Sequence, residues 1–251
     1  MPEVALKIAL LRCTENPDEI VALGGKLCYS PATLDELIRG VHGKDQAAYV
    51  EKLIEMGHLS PIEHASFTFG VEGVSRSLLA QLTRHRLASY SVQSQRYVGQ
   101  AREEGTFNYI VPPSIKALGA AAEEEFRRQM AQVQKWYNGW ADKLGTCAKN
   151  GEKANEDARF VLPNACETKL ILTMNARELL HFFRLRCCNR AQWEIRALAW
   201  EMLRLCMGRA PKIFSLAGPG CISGTCHEGK MTCGRTGEVR QRFTELVKGA
   251  I

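Results

Sequence analysis

Apolar residues recur along this chain in two rhythms. From Ser66 to Val74 they fall on every second position, with Phe67, Phe69 and Val71 on one side, the period of a half-buried strand. Thr168 to Asn175 repeats that alternation, and the Val/Ala/Ile/Leu stretch within residues 1–12 predicts an opening strand. Elsewhere the spacing is helical. Asp45 to Met56 carries Tyr49, Val50, Leu53 and Ile54 on one face and ends at Gly57. Short helices are predicted at Pro17–Gly24 and Thr33–Ile38, the second opened by Thr33 with Glu36 three residues on, a capping box. Further helices are predicted at Ser77–Thr83, at Asn155–Val161 closed by Pro163, at Ala176–Cys187, at Ala191–Met207 and at Glu238–Lys248. The longest, Ala117–Leu144, bears a stripe of Phe126, Met130, Val133, Trp136, Tyr137 and Trp140 that reads as core. Val98–Pro113 reads as loop with a strand at Phe107–Val111, and Gly218–Gly237 as loop.

No internal repeat or linker interrupts this series. It predicts an α+β fold, one domain over residues 1–251, with a central mixed or antiparallel sheet flanked by helices. A Gly/Cys-rich tail occupies 218–251. Gly218-Pro219-Gly220 is no dinucleotide fingerprint, so the fold is not expected to be of the Rossmann type.

Composition narrows the class. The chain has 251 residues, 45% hydrophobic and 24% charged, ordinary values that exclude a disordered protein. No apolar run approaches the ~18 residues of a transmembrane helix. Lys7 and Arg12 interrupt the N-terminal apolar stretch, which does not read as a signal peptide. A soluble, cytoplasmic protein is expected. The ten cysteines are too few for a disulfide scaffold in a chain this long and fit a reducing compartment. Cys13, Cys28, Cys147 and Cys166 read as small buried hydrophobes.

The net charge of +6 matters through its make-up: 20 of the 33 basic residues are arginine. Arginine excess points to forked recognition of phosphate or carboxylate. Gly73 to Arg102 contains Arg76, Arg84, Arg86, Arg96 and Arg102 without one acid. Arg177 to Arg209 contains seven arginines against Glu178, Glu194 and Glu201. Physical chemistry alone leaves two readings: a site for phosphorylated small molecules, or a nucleic-acid surface.

The segment Arg84-His85-Arg86, seven residues, then Ser94-Gln95-Arg96-Tyr97 resembles the signature of the flavin-dependent thymidylate synthases. Gly57-His58-Leu59-Ser60-Pro61-Ile62-Glu63-His64 with Phe67-Thr68-Phe69 resembles an upstream block of that family. Ala158-Arg159-Phe160-Val161-Leu162-Pro163, Thr173-Met174-Asn175-Ala176-Arg177, Leu185-Arg186 and Ala191-Gln192-Trp193-Glu194-Ile195 resemble later ones. The matches run in order from about Cys28 to Ile195, most of the chain.

The resemblance implies methylation of dUMP to dTMP, with carbon from methylenetetrahydrofolate and reducing equivalents from NADPH through FAD. It implies that Gln81, Arg84, Ser94, Arg96 and Arg159 hold dUMP, with Arg186 at the uracil as the catalytic cation. His58, Ser60, Arg84, His85, Arg86, Asn175, Arg177 and His181 are implied for FAD. A homotetramer with shared active sites is implied, and neither nucleic acid nor membrane as a partner. Ser91-Val92 replaces Asn-Glu of many members, His181 an Asn, and Cys28 a Ser. The Pro-Cys-His context of the cysteine-dependent thymidylate synthases is absent, so no thiolate nucleophile is expected. Cys221-x4-Cys226-His227-x5-Cys233 lacks the usual Cys-x2-Cys zinc spacing and reads as a reduced surface tail; no metal ligand is assigned.

Overall fold

The computed structural model describes residues 2–145 and 151–250. Four strands form one antiparallel sheet in the order β1-β2-β4-β3, accompanied by ten α-helices among the described residues. The elements are β1 (Lys7–Cys13), α1 (Pro17–Leu27), α2 (Leu34–Val41), α3 (Ala47–Glu55), β2 (Ser66–Ser75), α4 (Arg76–Leu82) and β3 (Ala88–Val92). After these come α5 (Pro113–Lys116), α6 (Ala120–Gly145), α7 (Gly151–Ala158), β4 (Glu167–Asn175), α8 (Ala176–Arg186), α9 (Trp193–Met207) and α10 (Thr236–Ala250). The α+β fold expected from the pattern is the one observed.

The predicted alternation is realised in the two inner strands. Phe67, Phe69 and Val71 of β2 are buried, as are Thr168, Leu170, Leu172 and Met174 of β4. Both strands run into a helix with no loop between. Ser75 ends β2 and caps α4, its side chain accepting from the N–H of Leu78. Asn175 ends β4 and caps α8, its Oδ1 accepting from the N–H of Glu178 at 2.9 Å. Each cap satisfies a helical N–H that would otherwise lack a partner. The Thr33–Glu36 capping box opens α2 as its sequence predicts.

The chain packs as two compact units. One comprises Met1–Lys7, Val71–Arg84 and Ser91–Ile171; the other comprises Ile8–Gly70, His85–Tyr90 and Leu172–Ile251. In the first, Phe107, Tyr109, Val111, Met130 and Cys166 form a core against which Phe126 and Val133 of α6 pack. Gly73 has φ +70°, and a Cβ there would lie 1.9 Å from the carbonyl oxygen of Ala5, so only glycine fits. In the second unit, Phe67, Phe182, Phe183 and Phe214 are fully buried, with Phe214 edge-on to Phe67 and Phe183.

Several expectations change. Residues 107–111 form no strand; Tyr109 makes single bridges to Glu3 and Cys166 instead. Ala88–Val92 is a strand that the sequence reading did not predict, with Ala88, Tyr90 and Val92 half-buried and the two serines exposed. Asn155–Val161 divides into the end of α7 and a 3-10 turn over Arg159–Val161. Tyr137 and Met130 of the α6 stripe are buried, but Trp136 and Trp140 are 55% and 48% exposed. Cys166 is buried as expected, Cys13 is half-buried and Cys28 is exposed; Cys147 lies outside the described residues.

Candidate active site

The sequence-predicted residues divide between the units. Gln81, Arg84, Ser94, Arg96 and Arg159 belong to the first; His58, Ser60, His85, Arg86, Asn175, Arg177, His181 and Arg186 belong to the second.

In the second unit the chemistry is organised by α8. Glu178, Phe182 and Arg186 recur at i, i+4 and i+8, which places them on one face of the helix. All three meet His85. Its Nδ1 lies 3.2 Å from Oε1 of Glu178, its ring packs edge-on against Phe182 at 4.9 Å between centroids, and its Nε2 lies 3.0 Å from Nε of Arg186. A guanidinium cannot accept a hydrogen bond, so Arg186 donates and Nε2 accepts. The proton of neutral His85 is therefore on Nδ1 and is donated to Glu178. Burial holds the His85 pKa down at about 4, and the charge of Arg186 and the neighbouring His181 act in the same direction. His85 is thus a neutral connector between a carboxylate and Arg186, the arginine for which the sequence resemblance implies a place at the uracil. The hydroxyl of Tyr90 donates to the His85 carbonyl at 2.9 Å and fixes its backbone. Burial, with Glu178 nearby, pushes the Tyr90 phenol up to about 12, so it stays a donor.

In the sequence Glu178 stands out only as one of three acids among the seven arginines of Arg177 to Arg209. Its spacing from Arg186 was the available signal.

A second face of α8 carries Arg177, His181 and Arg184 at i, i+4 and i+7. With Leu59, Leu180 and Leu216 they line a cavity of about 540 Å³. Three cationic or titratable side chains beside an apolar wall suit a ligand with a flat ring system and anionic groups. Arg177 is paired with Glu63. His58 has a buried Nδ1 with no hydrogen-bond partner among the described residues, and its ring stands edge-on to Tyr29 at 5.8 Å. An unused ring nitrogen suits a polar ligand atom. Ser60 is exposed at the start of the 3-10 turn Pro61–His64. Arg84 and Arg86 are exposed on either side of buried His85 in the sequence. The donor set fits a flavin nucleotide.

In the first unit the turn after β3 is held by a polar web. Tyr137 Oη accepts from the N–H of Gln100 at 3.0 Å, and Asn155 donates to the Arg96 carbonyl at 3.2 Å. Ser94 Oγ accepts from the N–H of Arg96 at 3.2 Å. Arg96 pairs with Glu152 at 2.9 Å and Glu156 at 3.2 Å. Arg159 Nε donates to the Glu156 carbonyl at 3.0 Å. Arg76 is half-buried; burial lowers its pKa, and Arg159 lies close enough to add to that. The acid-free stretch therefore has carboxylate partners after all, supplied by α7 some sixty positions downstream. Arg96 and Arg177, one in each unit, are thus each paired with an acid.

Among the described residues no helix is long and apolar enough to cross a membrane.

The family described as "Thymidylate synthase complementing protein" matches residues 9–212. A flavin-dependent thymidylate synthase of Geobacter sulfurreducens is 54% identical over 241 residues, covering 96% of this chain and 99% of that protein. One of Clostridium tetani is 48% identical, covering 96% and 98%. One of Pyrococcus abyssi is 37% identical, covering 97% and 98%. The chain belongs to the thymidylate synthase complementing protein family.

Proposed function

We propose that this chain is a flavin-dependent thymidylate synthase, converting dUMP to dTMP with methylenetetrahydrofolate as carbon donor and NADPH as reductant. The observation that carries the reading is the Glu178–His85–Arg186 chain of hydrogen bonds, built around the Arg-His-Arg segment in a member of this family. FAD, when bound, relays reducing equivalents from NADPH to the one-carbon transfer.

Arg177 and His181 would hold its anionic and polar edges at the cavity of the second unit, with Arg84, Arg86, His85, Asn175, Ser60 and His58 contributing further contacts. Gln81, Arg84, Ser94, Arg96 and Arg159 would hold dUMP, the arginines and serine toward its phosphate. For Arg96 this means exchanging Glu152 and Glu156 for phosphate oxygens. Arg186, held by neutral His85, keeps its charge directed at the uracil, where negative charge develops during reaction. The reading uses no thiolate nucleophile, and burial, which pushes Cys166 up to about 11 and raises Cys187 and Cys206 as well, keeps these three thiols protonated.

A homotetramer with shared active sites is part of the same reading. Exposed Trp136, Trp140 and Phe160 (83%) supply apolar surface for a neighbouring subunit. The free cysteines support a reducing cytoplasm as its location.

The test is a spectrum and an assay. Protein reconstituted with FAD is expected to absorb at about 450 nm and to show dUMP-dependent NADPH oxidation, with dTMP as product when methylenetetrahydrofolate is also present. Failure to bind FAD on reconstitution, or no dTMP with all three substrates present, overturns the proposal.

A further inference from the structure

The cavity beside α8 has two walls. One is the α8 face of Arg177, Leu180, His181 and Arg184. The other is the segment between α9 and α10, which reaches the cavity through Leu216, Gly218, Gly220, Ser223 and His227. All of these residues belong to the second unit. The family match ends at residue 212, so the second wall lies wholly beyond it.

That wall is shaped around one contact. The ring of His227 lies against Gly220, where a Cβ would come within 1.9 Å of Cδ2 and 2.6 Å of Nε2. No side chain could stand there with the ring in place, so glycine lets the imidazole rest directly on the backbone. The ring meets Gly220 through its Cδ2 edge, which leaves Nδ1 on the opposite side. The loop itself is held from α10: Arg240 donates to the carbonyls of Cys221 and Gly224, both at 2.9 Å.

The charge of the lining is one-sided. Arg177, His181, Arg184 and His227 contribute to it, and among the described residues no carboxylate does. Arg177 is paired with Glu63, whereas Arg184 has no ion pair among the described residues. A guanidinium has five donors and no acceptor, and an imidazole keeps one N–H donor even when neutral. Donors without matching acceptors make an anion site, and the planar guanidinium favours phosphate. Leu59, Leu180 and Leu216 place apolar surface beside it. A molecule that carries phosphate and a flat ring together satisfies both, and a nucleotide is such a molecule.

We propose that Arg184 and His227 form the phosphate subsite of this cavity and hold the diphosphate of the flavin nucleotide between α8 and the C-terminal segment. The assignment rests on the reading of this cavity as the flavin site. It gives the Gly/Cys-rich segment a role in binding, with Gly220 as the residue that positions the His227 ring.

The experiment titrates FAD into the flavin-free full chain and follows quenching of flavin fluorescence. Arg184→Ala should weaken binding about 10- to 100-fold, the effect of a lost charged hydrogen bond, and His227→Ala about 3- to 10-fold. Arg204→Ala, which removes an exposed arginine of α9 outside the cavity, should bind as wild type. Gly220→Ala displaces the ring and should weaken FAD as much as His227→Ala does. In the Gly220→Ala/His227→Ala double variant the clash is gone, so its loss should not exceed that of His227→Ala alone; additive losses overturn the role given to Gly220. In the wild-type chain, FAD should protect residues 216–227 from protease, a readout independent of how the variants fold. Unchanged FAD affinity in both Arg184→Ala and His227→Ala overturns the subsite and leaves the flavin reading standing. If those two variants instead raise KM for NADPH, the phosphates held are those of the co-substrate, and the assignment to FAD is overturned. A wild-type chain that binds no FAD overturns both readings.

Discussion

Arg186 donates from Nε to Nε2 of His85 at 3.0 Å, across 101 residues of sequence. Because the arginine can only donate, this one contact fixes the histidine tautomer and, with it, the role of Glu178. Replacing Glu178 by alanine strands the Nδ1 proton in a buried place and frees the ring to turn. We expect Glu178→Ala to lower kcat about 10- to 100-fold, as loss of a supporting partner behind a functional group does, with little change in KM for dUMP. Glu178→Gln can still accept at Oε1 and should recover most of the rate. Equal loss in both variants would show that Glu178 does not act through the tautomer.

The depressed pKa of His85 has a stability consequence. Its folded value is about 4 against an ordinary 6.5, so the unfolded chain takes up a proton first as pH falls. The stabilisation is complete above about pH 6.5 and is lost on the way down to about pH 4. Urea denaturation across that interval should show wild-type stability falling more steeply than that of His85→Gln. Parallel curves would contradict it.

In the proposed function Arg96 and Arg159 hold the dUMP phosphate. Arg96→Ala and Arg159→Ala should each weaken dUMP binding by about 1–3 kcal/mol, the range for a lost charged hydrogen bond, and leave FAD content unchanged. Because Glu152 and Glu156 compete for Arg96, Glu156→Gln should bind dUMP at least as tightly as wild type. Calorimetric titration distinguishes these outcomes, and coincident loss of FAD would reassign the arginine.

Buried thiols held in the neutral form make poor nucleophiles. Cys166→Ala and Cys187→Ala should both retain dTMP formation, assayed by product. Abolished turnover in a folded, FAD-loaded Cys166→Ala protein would restore a thiolate mechanism.

Gly73→Ala puts a methyl group onto the Ala5 carbonyl at a backbone angle few other residues adopt. The variant should lose well over 1 kcal/mol of stability, measured by chemical denaturation, since backbone cannot move aside as a flexible side chain could.

The strands and helices with one apolar face were legible in the sequence because burial and periodicity coincide in them. β2, β4, α3 and α9 are examples. β3 was not: Ala88, Tyr90 and Val92 alternate with exposed serines, but they are only half-buried and the run is five residues at the sheet edge, inside a segment that stood out for its polar chemistry instead. Trp136 and Trp140 followed helical spacing yet stayed exposed, because periodicity identifies a face and not what covers it. Within the candidate site, Arg84 to Arg96 stood out as a chemical pattern. Glu152, Glu156 and Glu178 did not, since their meaning comes only from the distant side chains that the fold brings to them.

In the triplet Arg84-His85-Arg86, exposure alternates within three consecutive residues, with His85 only 4% exposed. Such a segment is sensitive to changes of length as well as of identity. Deleting or inserting one residue on either side of His85 would turn a guanidinium toward Glu178 and an imidazole toward solvent, exchanging the interior with the surface in one step. The chain count here is therefore a constraint in its own right, and single-residue insertions around position 85 should be the rarest surviving change in any library built on this protein.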